Sequence, residues 1–275
     1  MNAPLLSAPR VEPFFFDADP GTRFSLYHAP APQVPPRGGI LYVHPFAEEL
    51  NCSRRMAALQ ARRFAALGFA VLQIDLFGCG DSCGDFNAAR WELWKRDLAT
   101  ALAWLAERSQ GPMQLWGLRL GALLALDFAS ATPVDGLILW QPVLNGRSGI
   151  NQFLRQRVPA ETGPQSSAAL RARLVTQGQI EINGYELVAP LARAIDACDA
   201  GSMALPACSV HWFASHTGAP ERLKAEAARL AARWAAGGTR VQLHAVAGQP
   251  FWSGSMVECR ALLDATSAVF CAGSL

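Results

Sequence analysis

The residues most suggestive of chemistry are Gly117-Leu118-Arg119-Leu120-Gly121. Glycines two positions either side of a central residue, with a short apolar run before them (113–116) and a continuous apolar helix pattern after them (122–129), describe a sharp strand-to-helix turn. Acyl-transfer enzymes expose a nucleophilic serine on such a turn. Here the central place holds arginine, whose guanidinium stays protonated at any physiological pH and cannot attack a carbonyl carbon. What Arg119 can do is hold an anion, with Leu118 beside it as a candidate ligand contact. A cation at the start of a helix opposes the macrodipole unless a negative charge intervenes. That charge is either internal, from Glu48 or Glu49, or a ligand carboxylate or phosphate gripped jointly by the guanidinium fork and the helix amides.

Three further loops carry candidate chemistry. The run His44-Pro45-Phe46-Ala47-Glu48-Glu49, followed by Arg54 and Arg55, stands where an oxyanion-hole amide is usually supplied. Glu48 or Glu49 is read either as a substrate-site acid or as helix N-terminal charge, and His44 as a base or as a packed strand-end histidine. Asp75-Leu76-Phe77-Gly78-Cys79-Gly80-Asp81-Ser82 has glycines that permit positive φ close to a site. Cys79, flanked by two of them, is a nucleophile if its thiol pKa is lowered, whereas Ser82 and Asp81 read as structural or catalytic. The third loop, Val246-Ala247-Gly248-Gln249-Pro250-Phe251-Trp252, offers Gln249 where a proton-shuttling histidine would stand, and glutamine moves no proton at neutral pH. His216, in Ser215-His216-Thr217, is the remaining candidate base or an exposed turn histidine. Phe46, Phe77, Phe251 and Trp252 supply walls for an apolar pocket or ordinary core, with Gln249 and Trp252 as ligand contacts.

These loops require strands that end together. The periodicities predict an opening strand pair at 11–17 and 22–28, then strands at 39–44, 69–75, 113–116, 134–140, 208–214 and 240–246. Helices are expected at 54–67, 88–107, 122–129, 221–234 and 256–270. Such alternation implies right-handed crossovers and an α/β fold with a mostly parallel central sheet, helices on both faces, and ligands beyond the strand carboxyl ends. The alternation stops at 144–204, read as a small cap insertion between a first core part (1–143) and a second (205–275).

A chain of 275 residues, 51% hydrophobic, is long enough for one large core. With a net charge of +2 and basic residues scattered along its length, it gives no reason to invoke nucleic acid. Seven cysteines at 52, 79, 83, 198, 208, 259 and 271 follow no metal-ligand spacing, so no metal or cofactor is expected. Their odd number argues for free thiols in a reducing compartment. No run of 18 apolar residues and no leader pattern occurs, so a cytoplasmic protein without an integral membrane segment is expected, and a homodimer is compatible with the sequence.

Taken together, the blocks HPFAEELNCSRRM, DLFGCGDSCGDF with the following Arg90-Trp91-Glu92-Leu93-Trp94, and LWGLRLGALLA resemble the family called exosortase A system-associated hydrolase 2. The resemblance spans most of the chain. It implies the α/β-hydrolase fold, of the serine aminopeptidase S33 type, and an acyl, ester or thioester hydrolase encoded beside bacterial exopolysaccharide and protein-sorting functions. It further implies a cytoplasmic role with a lipid- or saccharide-linked, anionic small-molecule substrate. On that pattern the nucleophile position falls on Arg119, the oxyanion loop on His44 to Glu48, and the histidine position on Gln249 or Pro250, so the usual Ser-His-acid triad is missing. Two readings stand: an enzyme using a nonstandard set drawn from Glu48, Glu49, Cys79, Ser82, His44 and His216, or an inactive homologue that binds an anion through Arg119.

Overall fold

The computed structural model describes residues 10–156, 166–216, 220–254 and 257–271. Strands β1 (Val11–Asp17) and β2 (Thr22–His28) form an antiparallel hairpin, and β2 pairs antiparallel with β4 (Ala70–Ile74). The remaining pairings are parallel, through β3 (Gly39–Val43), β5 (Met113–Leu118), β6 (Gly136–Trp140), β9 (Ser209–His216) and β10 (Arg240–Ala247). The order β1-β2-β4-β3-β5-β6-β9-β10 makes an eight-stranded, mostly parallel sheet. Every residue of β3 and β6 is buried, as expected where both faces of a parallel sheet are covered.

Helices α1 (Glu48–Ala66) and α8 (Arg260–Cys271) cover one face, where Phe64, Phe69 and Phe270 pack edge to face on one another and Phe64 packs on Trp116. Helices α2 (Trp91–Ala106), α3 (Leu120–Ala131) and α7 (Pro220–Ala235) contribute to the core on the other. Helix α3 buries nine of its first ten residues, so it is apolar on all sides because it lies inside the molecule.

Several boundaries differ from the sequence expectation. Helix α1 starts at Glu48, six residues before the apolar periodicity begins, because its first turn is polar and carries two acids that favour a helix N-terminus. Residues 86–88 form a 3-10 turn, so α2 begins at Trp91, and α8 begins at Arg260. Between β6 and β9 lie α4 (Gly146–Arg155), α5 (Ser167–Gln177), a hairpin of β7 (Gln179–Ile182) and β8 (Tyr185–Val188), and α6 (Ala189–Asp196). The hairpin turns on Asn183-Gly184, both at positive φ, the combination a two-residue turn needs. These elements meet the core at its loops: Tyr185 donates to Glu48, and Asn87 donates to Glu186. No helix among the described residues is long and apolar enough to cross a membrane.

Candidate functional site

Strand β5 ends at Leu118, and the chain turns at Arg119 (φ 56°, ψ −119°) directly into α3. This is the strained backbone of a nucleophile-presenting corner, of the order of 1–3 kcal/mol for a residue with a Cβ. The flanking glycines make it possible. A Cβ on Gly121 would lie 2.3 Å from the His44 carbonyl oxygen, and one on Gly117 would lie 2.4 Å from the Ala122 Cα. The backbone is pinned from both sides, by Arg119 N–H donating to Trp140 and Val143 N–H donating to the Arg119 carbonyl. The corner is therefore fully formed although no nucleophile occupies it.

The anion that Arg119 requires is internal. Its Nε lies 3.4 Å from Glu49 Oε1, with the two side chains only 13% and 10% exposed, and its Nη2 donates to Gln152 Oε1 at 2.5 Å. The Trp252 ring lies 5.1 Å from the guanidinium carbon and closes the third side as a cation–π contact. Helix α1, helix α4 and the loop after β10 thus each contribute one partner. Burial raises the Glu49 carboxyl pKa, and the adjacent Arg119 pulls it back down. Glu48, one residue earlier, points to the surface and pairs with Tyr185 and Asn51. Gln152 is a partner that sequence reasoning missed, because it lies on a helix with no motif and 33 residues from Arg119.

The other candidates are occupied by structural duties. His44 accepts the Leu76 N–H on Nε2 (3.2 Å) and donates from Nδ1 to the Pro45 carbonyl (2.7 Å), so both nitrogens are spent. Burial lowers its pKa and keeps it neutral. Ser82 donates to the Asp75 carbonyl (2.5 Å) while accepting the Phe24 N–H (2.9 Å). The Asp75 carboxylate takes both ends of the Arg54 guanidinium and the Asp81 N–H. Cys79 is buried, and desolvation, reinforced by Asp75 and Asp97, drives its thiol pKa far above the usual thiol range, the opposite of what a nucleophile needs. Arg55 pairs with Glu258. Leu118 is fully buried in the α1/α8 layer, so it is core and not a ligand contact. Gln249 is exposed on its loop, while Trp252 is buried against Arg119. His216 closes β9, and its side chain lies outside the described residues.

A shallow cavity of about 280 Å3 including its open mouth lies beside the arginine, lined by Phe46, Glu49, Arg119, Leu120, Gln152 and Phe153 among others. Phe46 packs edge to face on Phe86, Phe153 and Trp94 and forms its apolar wall. Leu120 is the first residue of α3, so its N–H has no intrahelical acceptor. Neither that N–H nor the one on Phe46 finds an acceptor among the described residues. Two residues with unpaired backbone amides thus line the cavity beside the arginine.

The same architecture recurs in solved structures. Est1E from Butyrivibrio proteoclasticus with ferulic acid bound matches with a TM-score of 0.65 at 13% identity, over 94% of this chain and 98% of that one. A putative hydrolase from Agrobacterium vitis S4 matches with a TM-score of 0.63 at 17% identity, over 96% and 98%. The mouse alpha/beta hydrolase domain-containing protein 10 matches with a TM-score of 0.60 at 15% identity, over 96% and 100%. At these identities the likeness establishes the fold alone. No curated protein matches the chain. The family model for serine aminopeptidase S33 matches residues 34–236, a span that includes the Arg119 corner, Glu49 and Gln152. With its sheet order, its glycine-flanked corner and that match over most of its length, the chain belongs to the serine aminopeptidase S33 family of α/β-hydrolase-fold proteins.

Proposed function

We propose that this member of a hydrolase family binds an acyl- or carboxylate-bearing small molecule beyond its central strands and does not form an acyl-enzyme. The observation that carries this reading is the corner at φ 56°, filled by an arginine already tied to Glu49 and Gln152. Arginine cannot accept an acyl group, but its Nη1 has no hydrogen-bond partner among the described residues, and Leu120 and Phe46, whose amides have no backbone acceptor there, line the same cavity. Three donors with an aromatic wall suit a carbonyl or carboxylate attached to an apolar body. In this proposal residues 144–204 act as the cap over that cavity, since α4 supplies Gln152. The biological setting is that of the exosortase A-associated proteins whose sequence blocks this chain resembles: the bacterial cytoplasm, with a lipid- or saccharide-linked anionic ligand.

Titration calorimetry with decanoate tests the binding role. Binding to the native chain and a loss of at least tenfold in Arg119→Ala support it, and equal affinity in the two proteins overturns it.

A second reading rests on Glu49. Its carboxyl shares the cavity with the free amides, and burial raises its pKa, which favours a general base acting on water near neutral pH. In that case a panel of esters and thioesters is turned over by the native chain and Glu49→Gln is inert. No turnover by the native chain excludes hydrolysis and leaves binding.

A further inference from the structure

A second cavity, of about 540 Å3 including its open mouth, lies between α1 and strands β2, β3 and β4, away from Arg119. Its walls come from one face of α1 and from the strand residues that α1 packs over. Leu26, Gln73 and Tyr42 stand in one cross-strand row there. Phe24, Leu50 and Ala58 complete the apolar walls, and Arg54 and Asp75 form the rim.

The polar groups of this cavity are unequally used. Tyr42 is 4% exposed, and its hydroxyl, although flanked by Ser53, makes no hydrogen bond. Gln73 accepts from His28 Nε2 (2.8 Å) through Oε1, which leaves its amide N–H groups to give. Arg54 is spent on Asp75 along one edge only. The acceptor capacity, by contrast, is committed inward, since the Asp75 carboxylate takes Arg54 and the Asp81 N–H. The cavity is an apolar enclosure with surplus donors along its wall, and the buried Tyr42 hydroxyl in that wall stays costly until something accepts from it.

We infer that this cavity is a second ligand site, specific for a small monocarboxylate whose apolar part packs between Phe24, Leu26 and Leu50 and whose oxygens accept from Tyr42, Gln73 and Arg54. The site is separate from the Arg119 cavity; the residues lining the two do not overlap.

Benzoate is the probe, followed by saturation-transfer NMR and calorimetry on the full chain. Arg119→Ala, in which the first cavity has lost its cation, still binds it at one site, since Arg119 does not line the second cavity. Tyr42→Phe keeps the ring and weakens binding about tenfold, the worth of one hydrogen bond to a charged group. Ala58→Phe, at a half-buried position on the cavity wall, fills the space and abolishes binding, with circular dichroism verifying the fold. Benzyl alcohol, of similar shape without the charge, binds at least tenfold more weakly. The inference is overturned if benzoate does not bind the native chain, if both Tyr42→Phe and Ala58→Phe bind it unchanged, or if Arg119→Ala alone removes the signal.

Discussion

Replacing Arg119 by alanine strands the Glu49 carboxylate in a nearly dry pocket. At 3.4 Å and an effective dielectric near 20, the gross attraction is about 5 kcal/mol. Desolvation offsets part of that in the native protein, but deleting one partner leaves the other charge uncompensated, so the net cost expected is about 2–4 kcal/mol. With an unfolding entropy of about 2.1 cal/mol/K per residue over 275 residues, a loss of about 3 kcal/mol lowers the melting temperature by about 5 °C. The sign of the pH dependence follows from the raised Glu49 pKa. Between the ordinary carboxylate value and the raised folded value, the folded state binds more protons. The penalty in Arg119→Ala is therefore smallest where Glu49 is protonated and grows as pH rises through the folded pKa. Glu49→Gln removes the charge and rescues Arg119→Ala, so a double-mutant cycle by thermal and urea unfolding reads a favourable coupling of about 2 kcal/mol. If Arg119→Ala costs less than about 0.5 kcal/mol, shows no pH dependence and is not rescued, then the ion pair does not hold the corner and the reasoning fails.

Arg23 and Asp97 form an ion pair at 2.7 Å with both side chains essentially without solvent, and Asp97 also accepts the Phe77 N–H. Asp97→Asn should cost about 3–5 kcal/mol in urea unfolding, by leaving Arg23 as an unpaired buried charge; a loss below about 1 kcal/mol would contradict this. His28, His44, His211 and His244 all have their pKa values lowered by burial, His211 to about 4. The unfolded chain then binds more protons between about pH 6.5 and 4, so stability is full above pH 6.5 and falls on acidification. The His211 share is at most about 3 kcal/mol, and His211→Phe should flatten the urea midpoint between pH 7 and pH 5; an unchanged slope refutes the assignment. Iodoacetamide should label exposed Cys271 in the native protein and leave Cys79 untouched until unfolding, as read by peptide mass spectrometry. Rapid native labelling of Cys79 would reopen its case as a nucleophile.

The alternation of buried strands with amphipathic helices, the glycines around residue 119, and the absence of a serine there and of a histidine at 249 or 250 are written in the residues themselves. Each depends on local backbone sterics, side-chain chemistry or a period of two or 3.6, which a short window contains. Polar helix starts were less legible, and α1 opened six residues early because its first turn has no apolar stripe to read. What the sequence left open was how the charges would be matched. It offered Glu48 and Glu49 as equal partners for Arg119, and only the rotation of α1 turns Glu49 inward and Glu48 to the surface. Gln152 and Trp252 reach the arginine from elements that no motif connects to it. Cys79 looked accessible between two glycines, yet it is buried. Burial and pairing arise from contacts between segments far apart in the chain, and the free energy that fixes them belongs to the packed whole and not to any local pattern.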